Sequence, residues 1–390
     1  MIREAAAWTT VSPGVPVTSI FSAFRDSPQR RAALRAAPGA AERYLLFGLD
    51  ELRARGHGVR HNLERSPPPP SWARFAGGAG KRGLERAGGY GGDFATVLAS
   101  LRTANRADVI LSTVDTVGIP LMLLGRVGRV RPPLVYVAIG LPERLAQLRS
   151  TRMERLYADA LARCAAVLAY SAREADDLGA WLEARGRPVP VSFVPFGVDT
   201  SAFRPVDEPP EDEVVSVGAD PHRDFELLLA VARSLPQVRF RIVASAERRL
   251  TDVPPNVTIE LDLPFEEMRR RLGRARVVAL PVRENTYSGA TTVLLQAMAL
   301  GKPVVVSRTS AIATGYGLVD GENCRLAPPG DVAAFAKSVS DVLRDELHAR
   351  ALGVSARRTA ERILTWDRYV ARIEEPLLSA VSGRSDAIRA

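Results

Sequence analysis

Cysteine, histidine and aromatic residues are scarce in this sequence, and long apolar runs are absent from it. Only two cysteines occur, Cys164 and Cys324, far apart and without metal-ligand spacing. That argues against a disulfide scaffold and for a reducing cytoplasm. Aromatic residues make up 6% of the chain and do not interleave with its basic runs, so no nucleic-acid module is expected. No apolar stretch approaches the ~20 residues that a spanning helix needs, and the N-terminus lacks the apolar core of a signal peptide. The expectation is a soluble, cytoplasmic protein, at most peripheral at the inner face of a membrane.

Charge and length are what the chain has in quantity. Its 390 residues exceed one ordinary compact core and fit two domains of about 150 to 200 residues each. A composition 46% hydrophobic and 25% charged is globular, and 53 Lys plus Arg against 44 Asp plus Glu leave a net charge of +9. That surplus suits anionic ligands such as nucleotide phosphates, or an acidic membrane surface; arginines that are merely solvated give the same count. The arginines of "RDSPQRRAALR" (25 to 35) carry the same two readings, contact with acidic lipid or a charged acceptor against a solvated arm.

Apolar, β-branched stretches alternate with helical periodicity along most of the chain. "PVTSIF" (15 to 20) has the pattern of a buried strand. Leu45, Leu49 and Leu52 recur at i, i+4, i+7 and predict a helix over 41 to 55, with Gly56 at its C-terminal end. From "SPPPPS" (66 to 71) to "GGYGG" (88 to 92), Pro and Gly predict a long mobile loop. "GGAGKRG" (77 to 83), inside it, superficially resembles a P-loop, but Phe75 and Arg82 break the G-x-x-x-x-G-K-[ST] spacing. Strands "DVILST", "PLVYVAI", "AAVLAY" and "VSFVP" then alternate with helices near 117 to 127, 153 to 163 and 172 to 184. After the acidic linker "FRPVDEPPEDE" (203 to 213), strands at 214 to 218, 239 to 245, 257 to 261, 277 to 282 and 302 to 307 form a second series with their own helices. Continuously apolar strands separated by helices predict two doubly wound parallel sheets, an α/β fold. Ligands in such folds bind at the carboxyl ends of the strands.

Three stretches concentrate the chemistry. "TYSGATTVLLQAMALGKPVVV" (286 to 306) sets Ser288, Gly289, Ala290, Thr291 and Thr292 before an apolar helix whose one central polar residue is Gln296. The unsatisfied amides of a helix N-terminus bind phosphate, and Gln296, four residues after Thr292, shares its face at a reach suited to a ribose. The opposing reading makes Ser288 an N-cap and Gln296 a core amide. In "GADPHRD" (218 to 224), Gly218 permits close backbone approach, and Arg223 presents a guanidinium for a diphosphate or, on the bland reading, for solvent. "VPFGVDTSAFRP" (194 to 205) closes the first half, with Phe203 anchoring the linker.

These stretches resemble the large fourth family of retaining, nucleotide-sugar-dependent glycosyltransferases, the glycosyl transferases group 1. "VPFGVDTSAFRP" is similar to that family's "pNGvD...F.P", "SGATTVLLQAMALGKPVV" to its acidic-pair motif with the "EAMA.GkPVV" ending, and "GLVDGENCRLAPPGDVAAFA" to its "dg.nG.l..pgD...la". "LDELRARGHGV" matches its first helix and glycine. The resemblance covers about 41 to 375 and is most specific from 277 to 335. It implies a GT-B architecture of two Rossmann-like domains facing across a cleft. The expected limits are 1 to 203 for the acceptor-binding domain, 204 to 363 for the nucleotide-sugar domain, and 364 to 390 for a segment crossing back to the first.

Residue by residue, the resemblance implies a donor site of Gly218, Arg223, Ser288, Gly289, Ala290, Thr291, Thr292 and Gln296. Arg223 and Ser288 would stand nearest the chemistry. The family's two acidic positions fall on Ser288 and Gln296, and its reacting-site histidine on Ile139; none of His57, His61, His222 and His348 replaces it obviously. Asp115, Gly140 and Glu143 are the acceptor-side candidates, with loop capping or solvation as the alternative. The implied reaction is a retaining transfer of a hexose-type sugar from a nucleoside diphosphate to a hydroxyl acceptor, with no cofactor and no metal: Arg223 and the 289 to 292 amides would stabilise the leaving diphosphate. A nucleotide-sugar epimerase and a catalytically silent nucleotide-binding or partner protein are the alternatives.

Overall fold

Short strands of Val, Leu, Ile and Ala dominate both halves of the chain, and the central ones are buried along their whole length. Strands hidden on both faces pair in parallel and need helices over each side. The computed structural model describes residues 17–65, 68–287 and 289–389, with side chains through Gly383. Its N-terminal unit runs β1 (Ser19–Ala23), α1 (Pro28–Arg35), α2 (Leu49–Ala54), β2 (Gly58–His61), α3 (Ser71–Arg86), α4 (Phe94–Ala104), β3 (Val109–Ser112) and α5 (Asp115–Arg126), then β4 (Leu134–Ala138), α6 (Leu141–Ala146), α7 (Thr151–Leu161), β5 (Ala166–Ala169), α8 (Ala172–Glu183) and β6 (Val191–Phe193). These strands form one parallel sheet in the order β2-β1-β3-β4-β5-β6.

The second unit repeats the logic with β7 (Glu213–Val217), α9 (Phe225–Ser234), β8 (Arg239–Ala244), β9 (Val257–Leu261), α10 (Phe265–Arg274), β10 (Val277–Leu280), α11 (Thr291–Ala299), β11 (Val304–Ser307), β12 (Arg325–Ala327), α12 (Val332–Arg344) and α13 (Glu346–Ile363). Its parallel order is β12-β11-β10-β7-β8-β9. A last helix, α14 (Trp366–Arg389), packs on the first unit. There the Tyr369 hydroxyl lies 2.8 Å from that of Tyr170, and His57 Nε2 2.8 Å from Glu374 Oε1. Phe196 contributes an aromatic ring 4.9 Å from Tyr369 and 5.5 Å from Trp366, so the crossing is fixed by apolar area as well as by polar pairs.

The helix expected over 41 to 55 is two pieces. Residues 41–46 form a 3-10 turn, and α2 begins only after Phe47 and Gly48, both at positive φ (51° and 84°). A Cβ on Gly48 would stand 3.1 Å from Val370, so the break lets α14 lie against the chain here. The strand expected at 15 to 20 starts at Ser19, residues 15 and 16 lying outside the described part. Helices α1 and α4 and strand β2 were not anticipated.

The long loop expected between 66 and 92 is corrected more sharply. Residues 71–86 form the four-turn helix α3. Its glycines are a contact surface: a Cβ on Gly77 would fall 2.5 Å from the backbone nitrogen of Ala95 in α4, whereas one on Gly80 would meet nothing closer than Phe94 at 3.9 Å. Close helix approach outweighs the poor helix propensity of glycine. Gly77→Ala is therefore expected to destabilise the protein by about 1–3 kcal/mol through overpacking, and Gly80→Ala to stabilise it by ~0.5–1 kcal/mol through propensity. Urea unfolding of the two variants checks this; equal midpoints would contradict the close packing of α3 on α4.

Candidate active site

The carboxyl end of β7 runs straight into Gly218 and a loop that returns to α9 at Asp224, whose side chain caps the helix by accepting from Leu227 N at 3.2 Å. Just before that cap, Arg223 is clamped by a backbone bridge to Val282, and Asp224 N donates to Pro281 O at 3.0 Å. Its side chain is 0% exposed. One terminal nitrogen donates to Ser216 Oγ at 2.9 Å, and the guanidinium lies 5.6 Å from the Phe225 ring centroid. Nε and Nη1 have no partner. Burial pulls the pKa of Arg223 down to about 10; Arg248 adds to that and Asp220 opposes it. A Cβ on Gly218 would stand 2.7 Å from Arg223 Nε, so glycine there leaves the guanidinium its space.

Opposite this loop, α11 begins without a cap: Ala290 makes no side-chain hydrogen bond to the first turn. Thr291 is 1% exposed and its Oγ1 has no partner. Amides at an uncapped helix start, with the positive end of the helix dipole, favour an anion. Both elements line one cavity of about 290 Å³, with Gly218, Arg223 and residues 289–293 from the second unit facing Phe47, Ile139 and Tyr170 from the first. Gly218, Arg223, Gly289, Ala290, Thr291 and Thr292 are thus together. Ser288 lies outside the described residues. Gln296, 2% exposed, does not line the cavity; it hydrogen-bonds the side chain of Tyr44 in the first unit, while its Oε1 has no partner.

The three acceptor-side candidates cluster around the end of β4. Asp115 is fully buried at the start of α5 and accepts from Tyr136 Oη (2.8 Å), Ile139 N (3.2 Å) and Arg144 Nε (3.2 Å). Burial pushes its pKa up to about 6 against the pull of Arg144. It anchors the 139–144 loop from below. Gly140, at φ 76°, donates its amide to Glu174 Oε1 at 2.6 Å. Glu143 reaches across the cleft, where Thr286 donates to its Oε1 from N (3.3 Å) and Oγ1 (3.2 Å).

Sequence reasoning missed three further groups at this meeting point. The Tyr287 hydroxyl lies 2.7 Å from His222 Nδ1 and 3.0 Å from Asp220 Oδ2, and the ring covers Gly140, whose Cβ would stand 3.3 Å from it. Burial and then Asp220 raise the Tyr287 pKa. The polar pair Asp220 and His222 stands in the "GADPH" stretch, but its partner, Tyr287, is brought in by the other loop. Tyr44 was likewise read only as part of a helix.

Glu174 is the remaining unusual group. It is 0% exposed, its Oε2 has no partner, and burial, then the charge of Asp115, push its pKa up to about 8. The folded state therefore holds a proton that the unfolded chain releases near the ordinary glutamate value, so stability is expected to fall as pH rises from about 4.5 through about 8. Glu174→Gln removes that slope. Urea midpoints at pH 5 and pH 8 check it, and parallel pH profiles for both proteins would contradict it.

Two parallel six-stranded sheets with flanking helices, facing across a cleft lined from both sides, constitute the GT-B fold. The sucrose-phosphate synthase of Thermosynechococcus elongatus shares it with a TM-score of 0.65, over 92% of this chain and 98% of that one, at 17% identity. Within it, residues 212–345 match the family model of the glycosyl transferases group 1, so the second unit of this chain is a glycosyl transferases group 1 domain. The MMP alpha-(1->4)-mannosyltransferase of Mycolicibacterium hassiacum is 30% identical over 201 residues, 47% of each chain. The GDP-mannose-dependent alpha-(1-6)-phosphatidylinositol monomannoside mannosyltransferase of Mycolicibacterium smegmatis is 28% identical over 236 residues, 53% of this chain and 59% of that protein. The chain thus matches about half the length of these curated relatives.

Proposed function

We propose that this protein is a retaining glycosyltransferase that moves a sugar from a nucleoside diphosphate to a hydroxyl acceptor. The observation that carries this reading is Arg223: a guanidinium with 0% exposure and two unpaired nitrogens, lining a cavity beside an uncapped helix start. Leaving buried donors unpaired is costly, and a diphosphate supplies the acceptor oxygens that remove the cost. In this reading Arg223 and the amides of residues 289–292 take the negative charge that develops on the leaving diphosphate, without a metal. The acceptor hydroxyl, held on the Gly140 side, attacks from the face the diphosphate leaves, and a departing phosphate oxygen takes its proton. Retention follows. Gln296 is closed off from the cavity by its bond to Tyr44; in this reading Tyr44 moves aside when the donor binds, and the unpaired Oε1 of Gln296 then accepts from the ribose hydroxyls.

The GDP-mannose-dependent relative supports a guanosine donor, and GDP-mannose is the donor to test first. Calorimetric titration with GDP, UDP, ADP and dTDP comes before turnover. Arg223→Ala is expected to weaken diphosphate binding tenfold or more, since a charge-assisted hydrogen bond is worth ~1.5–3 kcal/mol, while a chelator leaves turnover unchanged. A variant that unfolds at the wild-type urea midpoint and binds GDP with wild-type affinity would exclude Arg223 from the site. No binding of any nucleoside diphosphate would overturn the donor reading altogether. Binding without sugar transfer to any acceptor would point to a silent nucleotide-binding protein.

A further inference from the structure

Fifty-three residues of the chain are Lys or Arg, yet only three, Lys81, Lys302 and Lys337, are lysine. Two of the three are exposed surface groups paired within their own helix: Lys81 Nζ stands 3.8 Å from Glu85, and Lys337 Nζ 2.6 Å from Asp341. Lys302 is different. It is half-buried, it makes no side-chain hydrogen bond or ion pair with the described residues, and burial alone pulls its pKa down to about 8. In a chain that otherwise uses arginine, this position keeps a compact, titratable ammonium.

Lys302 lines a cavity of about 720 Å³. This lies within the size range of small-molecule sites, and it is well separated from the cleft. The cleft opens at the carboxyl ends of β7 and β10, whereas Lys302 precedes the amino end of β11, at the opposite end of these parallel strands. One wall is the linker, through Pro205 and Pro210; the other is the α12–α13 side, through Val342 and Val354. The walls are tightly set. A Cβ on Gly353 would fall 2.1 Å from Gly301 O, and Arg357 ties Thr200 O (2.9 Å) to Phe203 O and Ala299 O.

The charges around this cavity do not balance. Arg276 is paired with Asp212 at 2.5 Å, Arg350 with Glu346 at 3.1 Å and Arg357 with Glu361 at 2.7 Å. Arg358 lines the cavity with no ion pair or hydrogen bond of its own among the described residues, as does Lys302. Two cations are thus left over around a largely apolar space. A phosphate monoester carries ≈ −1.5 to −2 near neutral pH, and lysine binds phosphate as a point charge. We infer that this cavity is a second ligand site, which takes a phosphate monoester with an apolar body, its phosphate on Lys302 and Arg358.

Pyridoxal 5′-phosphate, an aromatic phosphate monoester with an aldehyde, tests this on the intact wild-type protein. The amine adds to the aldehyde carbon, water leaves, and borohydride reduces the imine to a stable secondary amine that peptide mass mapping locates. At pH 7 Lys302 is expected to be modified at least about tenfold faster than Lys81 and Lys337, because the phosphate site would hold the reagent's aldehyde beside an amine whose neutral form burial favours. Saturating phenyl phosphate is expected to slow its modification about tenfold, and GDP at the same concentration to leave it unchanged. In Arg358→Ala the protection by phenyl phosphate is expected to weaken. Equal rates at the three lysines would overturn the inference, and so would a fast Lys302 that phenyl phosphate does not protect. Protection by GDP would overturn the separation of this cavity from the cleft.

Discussion

A cation without water at the end of a parallel strand is the constraint around which the cleft is organised. Arg223 is excluded from solvent, clamped through its backbone to Val282, satisfied at one nitrogen by Ser216 and unsatisfied at Nε and Nη1. Burial weakens its hold on its proton, yet at a pKa of about 10 it stays charged at neutral pH. Such a group is held by the fold at a cost in stability. Gly218 has no side chain because the guanidinium occupies that space. The start of α11, uncapped and facing the same cavity, adds a second feature complementary to an anion.

The two units meet through polar contacts rather than through a broad apolar seam at the cleft mouth. Glu143 accepts twice from Thr286, Tyr287 covers Gly140 while reaching Asp220 and His222, and Tyr44 meets Gln296. The Glu143–Thr286 and Gly140–Tyr287 contacts join loops at the strand ends of the two sheets, and Tyr44 joins a 3-10 turn of the first unit to helix α11 of the second. Deeper in, α14 sets the units' relative position by packing Trp366 and Tyr369 against Phe196 and Tyr170. Asp115 and Glu174, both buried, hold the turn at residues 139–141 that leads from β4 into α6.

How much of this was legible in sequence follows from the range of the interactions concerned. Strands such as "VILS" and "VVAL" were legible because continuous apolarity has one stable use in an alternating chain. The pairing of Arg223 with the α11 start was legible because both follow strands and each carries its own local signal. Helix α3 was misread because Gly77, unfavourable in an isolated helix, is required by Ala95 of the next helix. Tyr44 and Tyr287 left no mark because their partners stand far off in the chain, Gln296 for Tyr44 and Asp220 with His222 for Tyr287. Gln296 was visible as the one polar residue in an apolar helix, but its meeting with Tyr44 depends on how the two units dock.

The central claim is that the unpaired nitrogens of Arg223 await a diphosphate. Correlation spectra of arginine Nε–H groups, recorded during a titration with GDP, report on this directly. The expected result is that the resonance lost in Arg223→Lys shifts in proportion to nucleotide bound and its exchange with water slows. A resonance that stays in place while GDP binds at full occupancy would contradict the claim.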